Sequence, residues 1–425
     1  MPNRKATIIG AGSTYTPELI EGFITSNDSL GVNNITLMDI DENRLNILGN
    51  LAKRQLKAGN FSGTVTMTTN LNQALDGAAL VFTQVRVGKL PARVLDEKIP
   101  LKYGCLGQET TGAGGFMKAL RTVPVIMDIA TKMKQLSEKD AWLINFTNPS
   151  GIIAEALLNH TDTNTVGLCN CAVNMVKAVA DTIGTTAFDY EYVGLNHLSW
   201  ITSVIKHNEK DNIVTTLTSK AGASYKNIPD IDYDPALLMA VPYIPTSYLS
   251  YYYMREQQIQ MCLEAEKTRG EICMELEKQL LTQYSNPNLH VKPEELNERG
   301  GALYSTAALS VADAIINNKK ELHVVAAKNN GAVPFMDDND VVEVLCELSA
   351  AGAAPQAIKE YNGYIIATMR AVKAYEKLTV SAALTGCRDT ALAALLAHPL
   401  VGDFSKAKPM LDEMITANKE YLPQF

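Results

Sequence analysis

Cysteine is scarce in this sequence, with 7 in 425 residues, an odd number without a pattern of paired spacings. A disulfide-stapled secreted domain is therefore excluded, and we expect a cytoplasmic chain that folds under reducing conditions. Long apolar runs are lacking too. No stretch approaches the ~20 apolar residues of a membrane span, and the apolar run near the N-terminus is too short for a signal peptide. We expect no association with a membrane.

Positive charge is also in deficit, since 38 Lys and Arg residues face 46 Asp and Glu residues for a formal net charge of −8. Nucleic-acid binding needs a basic face, so we expect no nucleic-acid partner. Hydrophobic residues are 46% and charged residues 20% of the chain, as in ordinary globular proteins. At ~150 residues per domain the length predicts two or three domains, or one with an elaborated second lobe.

Strand and helix patterns alternate along the first part of the chain. The apolar runs KATII, NITLMDI, TVTMTT, ALVFTQV, DAWLINF and TVGL are separated by helical stretches. This alternation predicts an α/β fold with an N-terminal Rossmann-like, doubly wound parallel sheet. From about Tyr190 the pattern changes to consecutive strands, and long helices dominate from Ile244 onwards. We predict two domains, 1–190 and 191–425, the second being α+β and mainly helical.

A glycine loop lies where the first strand meets the first helix. Gly10 and Gly12 permit a tight turn that lets backbone N–H groups approach a pyrophosphate. Tyr15 replaces the third glycine of G-x-G-x-x-G, but Asp39 ends the next strand at about the expected spacing of ~20 residues. A carboxylate there binds the ribose hydroxyls of NAD and repels the 2′-phosphate of NADP. The sequence predicts an NAD site, the alternative being a structural turn with an incidental aspartate.

Cys169 and His197 are possible metal ligands. Cys169 follows a predicted parallel strand, at the edge where small molecules bind, and His197 lies near the predicted domain boundary. One thiolate and one imidazole would leave positions on a divalent metal for water and substrate. The spacing leaves the alternative open, because a buried free cysteine is usually a small hydrophobe and a single histidine is usually structural.

Three other segments have polar or glycine-rich character. Arg93 follows an apolar strand, where we predict a loop at the sheet edge, and Glu109 lies in GQETTGAGG, whose glycines predict a loop close to a ligand. Asn148 stands between a buried strand and a helix, where a capping role is equally consistent. The residues alone do not single out a base among the tyrosines at 243, 248, 251, 252 and 253. Arg269, in KTRGE, reads equally well as a surface charge.

Together these segments resemble the family 4 glycoside hydrolases, and more narrowly their 6-phospho-β-glucosidase branch. The matching stretches are IIGAGSTYTPELIEGF, RVGKLPARVLDEKIPLKYGCLGQETTGAGG, LRTVP, INFTNPSGIIAEAL, VGLCN, GLNHLSW, IPTSYLSYYY, ERGGALYS and EYLPQF. They extend from one end of the chain to the other.

The resemblance implies a glycosidase that hydrolyses phosphorylated β-glucosides, such as cellobiose 6-phosphate, with NAD and a divalent metal, usually manganese. In such enzymes NAD oxidises C3 of the sugar, a tyrosinate removes the C2 proton, and the aglycone leaves from C1. Water then adds and the hydride returns, so the cofactor is regenerated. It further implies that 1–190 bind NAD, that 191–425 serve substrate, metal and oligomerisation, and that the protein is a homodimer or homotetramer.

The resemblance also assigns residues. Cys169 and His197 match the metal ligands, Tyr248 matches the catalytic base, and Glu109 matches the acid that raises the basicity of that tyrosine. The cofactor-binding positions are Gly10, Gly12, Ser13, Thr14 and Asp39. The substrate-binding positions are Arg93, Asn148, Asn170 and Arg269, with Arg269 expected at the phosphate.

Two positions bear on specificity. Asn170 stands where the phospho-α-glucosidases have an acidic aspartate, and asparagine cannot protonate a leaving group, which favours the β-specific branch. Cys171 replaces a bulkier residue and places two thiols close together, a liability to oxidation. The alternatives are a family 4 enzyme of other specificity (6-phospho-α-glucosidase or α-galactosidase), an NAD-dependent dehydrogenase of the lactate/malate type, and a non-enzymatic NAD sensor.

Overall fold

The computed structural model describes residues 4–217, 233–300 and 304–425. Residues 208–235 are polar and rich in turn-forming residues in the sequence, and part of this segment lies outside the described ranges. The first six strands are β1 (Arg4–Ile9), β2 (Val32–Met38), β3 (Thr64–Thr68), β4 (Leu80–Thr83), β5 (Trp142–Asn145) and β6 (Asn164–Gly167). The helices among and after them are α1 (Thr16–Leu30), α2 (Glu42–Ala58), α3 (Leu71–Leu75), α4 (Lys89–Lys102), α5 (Gly112–Leu136), α6 (Ser150–His160) and α7 (Asn170–Ile183). The strands pair in parallel in the order β3-β2-β1-β4-β5-β6. The predicted Rossmann-like sheet is confirmed.

The second half of the chain extends this sheet with antiparallel strands. They are β7 (Phe188–Leu195), β8 (Leu198–Lys206), β9 (Ile244–Pro245), β10 (Glu321–Lys328), β11 (Val341–Ser349) and β12 (Gly352–Pro355). The order continues from β6 as β10-β11-β7-β8-β9, with β12 on β11, and the described ranges thus form one 12-stranded sheet. The boundary predicted near residue 190 lies within β7, the first strand of the antiparallel part.

Helices dominate the rest of the second half. They are α8 (Val214–Leu217), α9 (Pro235–Ala240), α10 (Ser250–Tyr253), α11 (Arg255–Glu264), α12 (Arg269–Tyr284), α13 (Tyr304–Ile316), α14 (Gly363–Thr385), α15 (Arg388–Ala397) and α16 (Phe404–Ala417). Short 3-10 turns lie at Ser247–Leu249, Glu294–Arg299 and Lys419–Tyr421. The prediction of long helices from Ile244 onwards omitted β10 to β12, whose pairing partners β6 and β7 are distant in the sequence. In the described ranges, no helix has both the length and the apolar composition needed to cross a membrane.

The main hydrophobic core covers both faces of the parallel strands. Ile8 of β1, Phe82 of β4 and Ile144 of β5 are wholly buried, and α5 adds Phe116 and Leu120. Each such side chain contributes about 1.5–3 kcal/mol by leaving water. Burial on both faces explains why these strands read as continuous apolar runs in the sequence.

The parallel topology brings distant polar residues to one edge of the sheet. Gly10 follows β1, Asp39 follows β2, Arg86 follows β4, Asn148 follows β5 and Cys169 follows β6. The carboxyl ends of parallel strands meet at the same edge, which is where ligands bind in such folds. The fold therefore places these five positions at a common crevice.

One loop prediction at this edge was wrong, because Arg93 lies within α4. Glu109 does lie in a loop, between α4 and α5, although the later glycines of GQETTGAGG begin α5. The close packing at the start of α5 explains the glycines, because a Cβ on Gly114 would lie 2.1 Å from the carbonyl oxygen of Gln108. These glycines thus serve helix packing against the preceding turn.

Candidate active site

The backbone of the glycine loop after β1 packs closely against neighbouring residues. Gly10 has a φ of 87°, and a Cβ there would lie 2.8 Å from the carbonyl oxygen of Gln84. The N–H of Gly12 donates to Oδ2 of Asp39 at 2.7 Å, and a Cβ on Gly12 would meet the same oxygen. The Asp39 carboxylate thus lies against the loop. This is the position of the acidic residue that binds the adenosine ribose in Rossmann-like domains.

The neighbouring positions of the loop are also ordered. The hydroxyl of Ser13 accepts from the N–H of Tyr15 at 3.3 Å, and the Thr14 side chain is wholly buried. Tyr15, which occupies the third glycine position, donates through its hydroxyl to the carbonyl of Arg299 at 2.8 Å. The tyrosine thus joins the loop to the second half of the chain.

An ion-pair bridge from the second half reaches the same loop. Arg44 of α2 donates from Nε to the carbonyl of Gly12 at 2.8 Å and forms a two-point pair with Glu277 of α12 at 2.7 and 3.0 Å. Burial works against the charge of Arg44, but the hydrogen bond with Glu277 prevails and raises its pKa. The sequence offered no signal for this bridge because its partners are remote.

Cys169 and His197 lie in contact. The Cys169 sulphur is 3.3 Å from Nε2 of His197, and the Cys171 sulphur belongs to the same cluster, in which all three ligand atoms lie within 4.8 Å of one another. A hydrogen bond from the Cys171 thiol and the nearby His197 hold the pKa of Cys169 well below its usual value, although burial opposes this. Soft thiolates and an imidazole form a donor set for a divalent transition metal.

The backbone holds His197 in a strained turn. His197 belongs to the two-residue connection between β7 and β8 and has a φ of 65°, a conformation that costs a non-glycine residue about 1 kcal/mol or more. Its side chain is only 4% exposed, and its Nδ1 meets no hydrogen-bond partner among the residues that the structure describes. A buried imidazole with an unmatched nitrogen suits a ligand-binding role better than a packing role.

Tyr248 stacks face to face on His197. The ring centroids are 3.8 Å apart and the rings are nearly parallel, at 5°. The tyrosine lies in the 3-10 turn after β9, and Tyr251 meets it edge-on at 6.1 Å. Burial first, then the thiols of Cys171 and Cys169, raises the pKa of Tyr248 well above its usual value.

Glu109 is the centre of a buried basic cluster. Its carboxylate pairs with Arg86, with Arg93 at 2.8 Å and with Lys118 at 2.9 Å. Although burial favours the neutral acid, the three cations hold the pKa of Glu109 well below its usual value. Burial lowers the pKa of Lys118 to about 7.

The predicted substrate-binding residues lie at different points of the sheet edge: Arg93 beside Glu109, Asn148 after β5 and Asn170 beside Cys169. Arg93 is buried and also pairs with Glu97 at 2.7 Å. Nδ2 of Asn148 donates to the carbonyl of Phe146 at 3.4 Å, and its buried Oδ1 has no partner in the described part of the chain. The Oδ1 of Asn170 lies 3.8 Å from the Cys169 sulphur.

Arg269 begins α12 at the rim of the basic cluster. Its Nη2 donates to the carbonyl of Glu298 at 2.5 Å. The next residue, Gly270, donates its N–H to Glu97 at 2.7 Å, and Glu97 in turn pairs with Arg93. The backbone next to Arg269 is therefore connected to Arg93 through Glu97.

Two buried charged residues were not predicted as site residues: Glu343, near the cluster of Cys169, Cys171 and His197, and Lys118, beside Glu109. Glu343 of β11 accepts from the hydroxyl of Tyr192 at 2.9 Å and from Asn196, next to His197, at 3.1 Å. Burial raises the pKa of Glu343 to about 7. A single acid within the apolar run VVEVLC was the available signal. Lys118 had a similar signal, as a lysine in the otherwise small and apolar first turns of α5.

The fold and the site define an enzyme-like architecture, in which a Rossmann-like sheet carries a thiol–imidazole cluster beside a buried tyrosine. The sequence profile described as "Family 4 glycosyl hydrolase" matches residues 5–185, and the profile of that family's C-terminal domain matches residues 192–401. The chain belongs to family 4 of the glycosyl hydrolases, and the expected glycosidase class is confirmed.

Individual relatives agree over the whole chain. A probable 6-phospho-beta-glucosidase of Bacillus subtilis is 40% identical over 99% of this chain and 98% of its own length. The solved 6-phospho-beta-glucosidase of Thermotoga maritima with manganese, NAD⁺ and glucose-6-phosphate is 32% identical, with a TM-score of 0.89 and 99% of each chain covered. A 6-phospho-alpha-glucosidase from gut microorganisms, solved with NAD and glucose-6-phosphate, is 25% identical, with a TM-score of 0.90 and complete coverage of both chains.

Proposed function

We propose that this chain is a 6-phospho-β-glucosidase that hydrolyses phosphorylated β-glucosides, such as cellobiose 6-phosphate, with NAD and a divalent metal. One observation carries the proposal. Tyr248 stacks on His197, which contacts Cys169 at the same sheet edge as the glycine loop. A proton acceptor, a metal-type donor set and a dinucleotide-type loop are thereby combined in one crevice.

The glycine loop fits NAD. Gly10 and Gly12 lack the Cβ atoms that would collide with Gln84 and Asp39, and the Asp39 carboxylate lies at the end of β2. We assign Gly10, Gly12, Ser13 and Thr14 to the pyrophosphate side and Asp39 to the adenosine ribose. The negative charge of Asp39 favours NAD over NADP.

Cys169 and His197 fit a divalent ion such as Mn²⁺. Their donor atoms are 3.3 Å apart, and His197 retains a buried nitrogen without a partner in the described ranges. When bound, NAD supplies reversible oxidation of the sugar and the metal polarises its oxygens.

Tyr248 is the proposed base that removes the C2 proton of the sugar. A free tyrosine has a pKa of ~10, and burial raises the pKa of Tyr248 further. A cation at Cys169 and His197 would oppose that shift, because the two rings are in contact. Glu109, kept anionic by its three cations, raises the proton affinity of Tyr248.

The remaining residues orient the substrate. Arg93, Asn148, Asn170 and Arg269 are proposed to bind the phosphorylated sugar, with Arg269 at the phosphate. The buried Oδ1 of Asn148 has no hydrogen-bond partner among the described residues, which supports an acceptor role toward a sugar hydroxyl. Asn170 cannot serve as a leaving-group acid, which favours the β-glucosides.

The test is release of p-nitrophenol from p-nitrophenyl β-glucoside 6-phosphate by reduced protein with NAD⁺ and Mn²⁺. Each additive is omitted in turn, and the 6-phospho-α-glucoside and the unphosphorylated β-glucoside are measured alongside. We expect turnover of the phosphorylated β-glucoside only, dependent on both additives and without net formation of NADH.

Three other results would change the proposal. Cleavage of only the α-glucoside, or of only the unphosphorylated substrate, would assign a different specificity within the family. Net NADH formation would favour a dehydrogenase. NAD binding without turnover of any substrate would favour a sensor.

The assembly and the compartment complete the proposal. We infer a homodimer or homotetramer, with residues 191–425 carrying the oligomer contacts and residues 1–190 the NAD site, in the cytoplasm. Light scattering of the purified protein measures the assembly directly, and a mass equal to one chain would contradict it.

A further inference from the structure

Cys171 faces the same point in space as the two metal-type donors. It lies in the first turn of α7, two residues after Cys169, and only 2% of it is exposed. Its sulphur, the Cys169 sulphur and a ring nitrogen of His197 all lie within 4.8 Å of one another. Three donors from one helix start and one hairpin turn therefore surround a common position.

The separations suit one ion. A metal at ~2.3 Å from sulphur and ~2.0 Å from nitrogen in a tetrahedral site would place those two atoms about 3.5 Å apart, and two sulphurs about 3.8 Å apart. The Cys169–His197 separation is 3.3 Å, and no pair in the cluster exceeds 4.8 Å. Small side-chain shifts would bring all three donors within bonding distance of one ion.

A packing role does not account for Cys171 fully. The residue touches an apolar cluster that includes Leu106, Tyr248 and Tyr251, which alanine or valine would also fill. Its sulphur, however, lies in one cluster with the Cys169 sulphur and a ring nitrogen of His197, and Nε2 of His197 is 3.3 Å from the Cys169 sulphur. The other ring nitrogen, Nδ1, is buried without a hydrogen-bond partner in the described parts of the chain, so no structural hydrogen bond there accounts for the imidazole. The convergence of three donor atoms on one position points to a ligand at the cluster.

We propose that Cys171 is a third protein ligand of the metal, so that this chain holds its ion with two thiolates and one imidazole. The inference rests on the proposed function, which assigns Cys169 and His197 to the metal, and adds a donor to that site. Two sulphur ligands favour thiophilic ions such as Zn²⁺ and Co²⁺ over Mn²⁺, while a fourth position stays open for a substrate oxygen. Cys171 would thus determine which metals the enzyme accepts.

Cobalt absorption counts the sulphur ligands directly. Metal-free, reduced wild-type protein and its Cys171→Ser and Cys171→Ala variants are titrated with Co²⁺, and the sulphur-to-cobalt charge-transfer band is measured per bound ion. We expect each variant to lose about half of the band, since one of two Co–S bonds is gone. We also expect the preference for Zn²⁺ over Mn²⁺, measured by competition, to fall at least tenfold in both variants.

Two control variants separate this effect from other thiols. Cys105→Ala removes a buried thiol outside the cluster, and Cys387→Ala removes an exposed one; both should retain the full band. X-ray absorption at the zinc edge of the wild-type protein should find two sulphur neighbours per ion, independently of how any variant folds.

The outcomes distinguish the two proposals. An unchanged band in the Cys171 variants, or one sulphur neighbour in the wild type, would overturn the third ligand while leaving Cys169 and His197 in place. A wild-type protein that binds no cobalt or zinc at this cluster would overturn both.

Discussion

The position of the Tyr248 phenol depends on ring stacking. His197 is held in its turn with a φ of 65°, and the tyrosine lies flat against it at 3.8 Å. In its proposed role as base, a tyrosine fixed in this way needs no large side-chain movement to meet a substrate bound beside the imidazole. The ring of Tyr251 meets Tyr248 edge-on and adds a second aromatic contact to it.

Removal of the phenol hydroxyl tests this role. Tyr248→Phe should reduce kcat on the 6-phospho-β-glucoside by about 10²–10⁴, the usual contribution of a positioned base. The ring stack survives in this variant, so NAD and metal affinity should remain within about twofold, measured by calorimetry.

Tyr251→Phe is the matched control, because it removes a hydroxyl from a buried ring in the same cluster. It should retain activity within a few-fold. Loss of activity in Tyr251→Phe together with full activity in Tyr248→Phe would reverse the assignment.

At the scale of elements, α2 and α12 together hold the glycine loop in place through hydrogen bonds and an ion pair. Arg44 on α2 holds the Gly12 carbonyl and is itself held by Glu277 on α12, and Arg299 lies 3.8 Å from the same carboxylate. Glu277 therefore balances two largely buried guanidinium groups from different parts of the chain. Its loss would leave both without their shared anion.

Glu277→Ala should lower the free energy of unfolding by about 2 kcal/mol, because charged hydrogen bonds in a shielded site are worth that amount. Urea denaturation measures the change. Glu275→Ala, on the same helix, removes an exposed partner of Lys267 and should cost less than about 0.5 kcal/mol. Equal losses in the two variants would show that the bridge adds nothing.

At the scale of the whole molecule, the candidate site spans the parallel and the antiparallel parts of one sheet. The parallel strands provide the glycine loop, Asp39 and Cys169, whereas the antiparallel strands provide His197 and precede Tyr248. Neither half of the chain holds a complete set of these groups. The proposed substrate chemistry would therefore depend on the junction between β6 and the antiparallel extension.

The sequence predicted the local βα units well, because the apolar periodicity of each strand and the position of Asp39 at the end of β2 are encoded by near neighbours. It failed where pairing is remote. Strands β10 to β12 were missed, and Arg93 was placed in a loop, although α4 buries it against Glu97 and Glu109. The roles of the site residues came from the family resemblance, since a lone cysteine and histidine at this spacing allow a purely structural interpretation.

The central claim is that glycosidic cleavage proceeds by removal of the C2 proton and not by direct displacement at C1. The most direct measurement is hydrolysis of the 6-phospho-β-glucoside in D₂O with NAD⁺ and Mn²⁺, followed by NMR of the glucose 6-phosphate released. With Tyr248 as the proposed base that takes the C2 proton and exchanges it with solvent, we expect deuterium at C2 of the product. A product that retains hydrogen at C2, formed equally fast without NAD⁺, would contradict it.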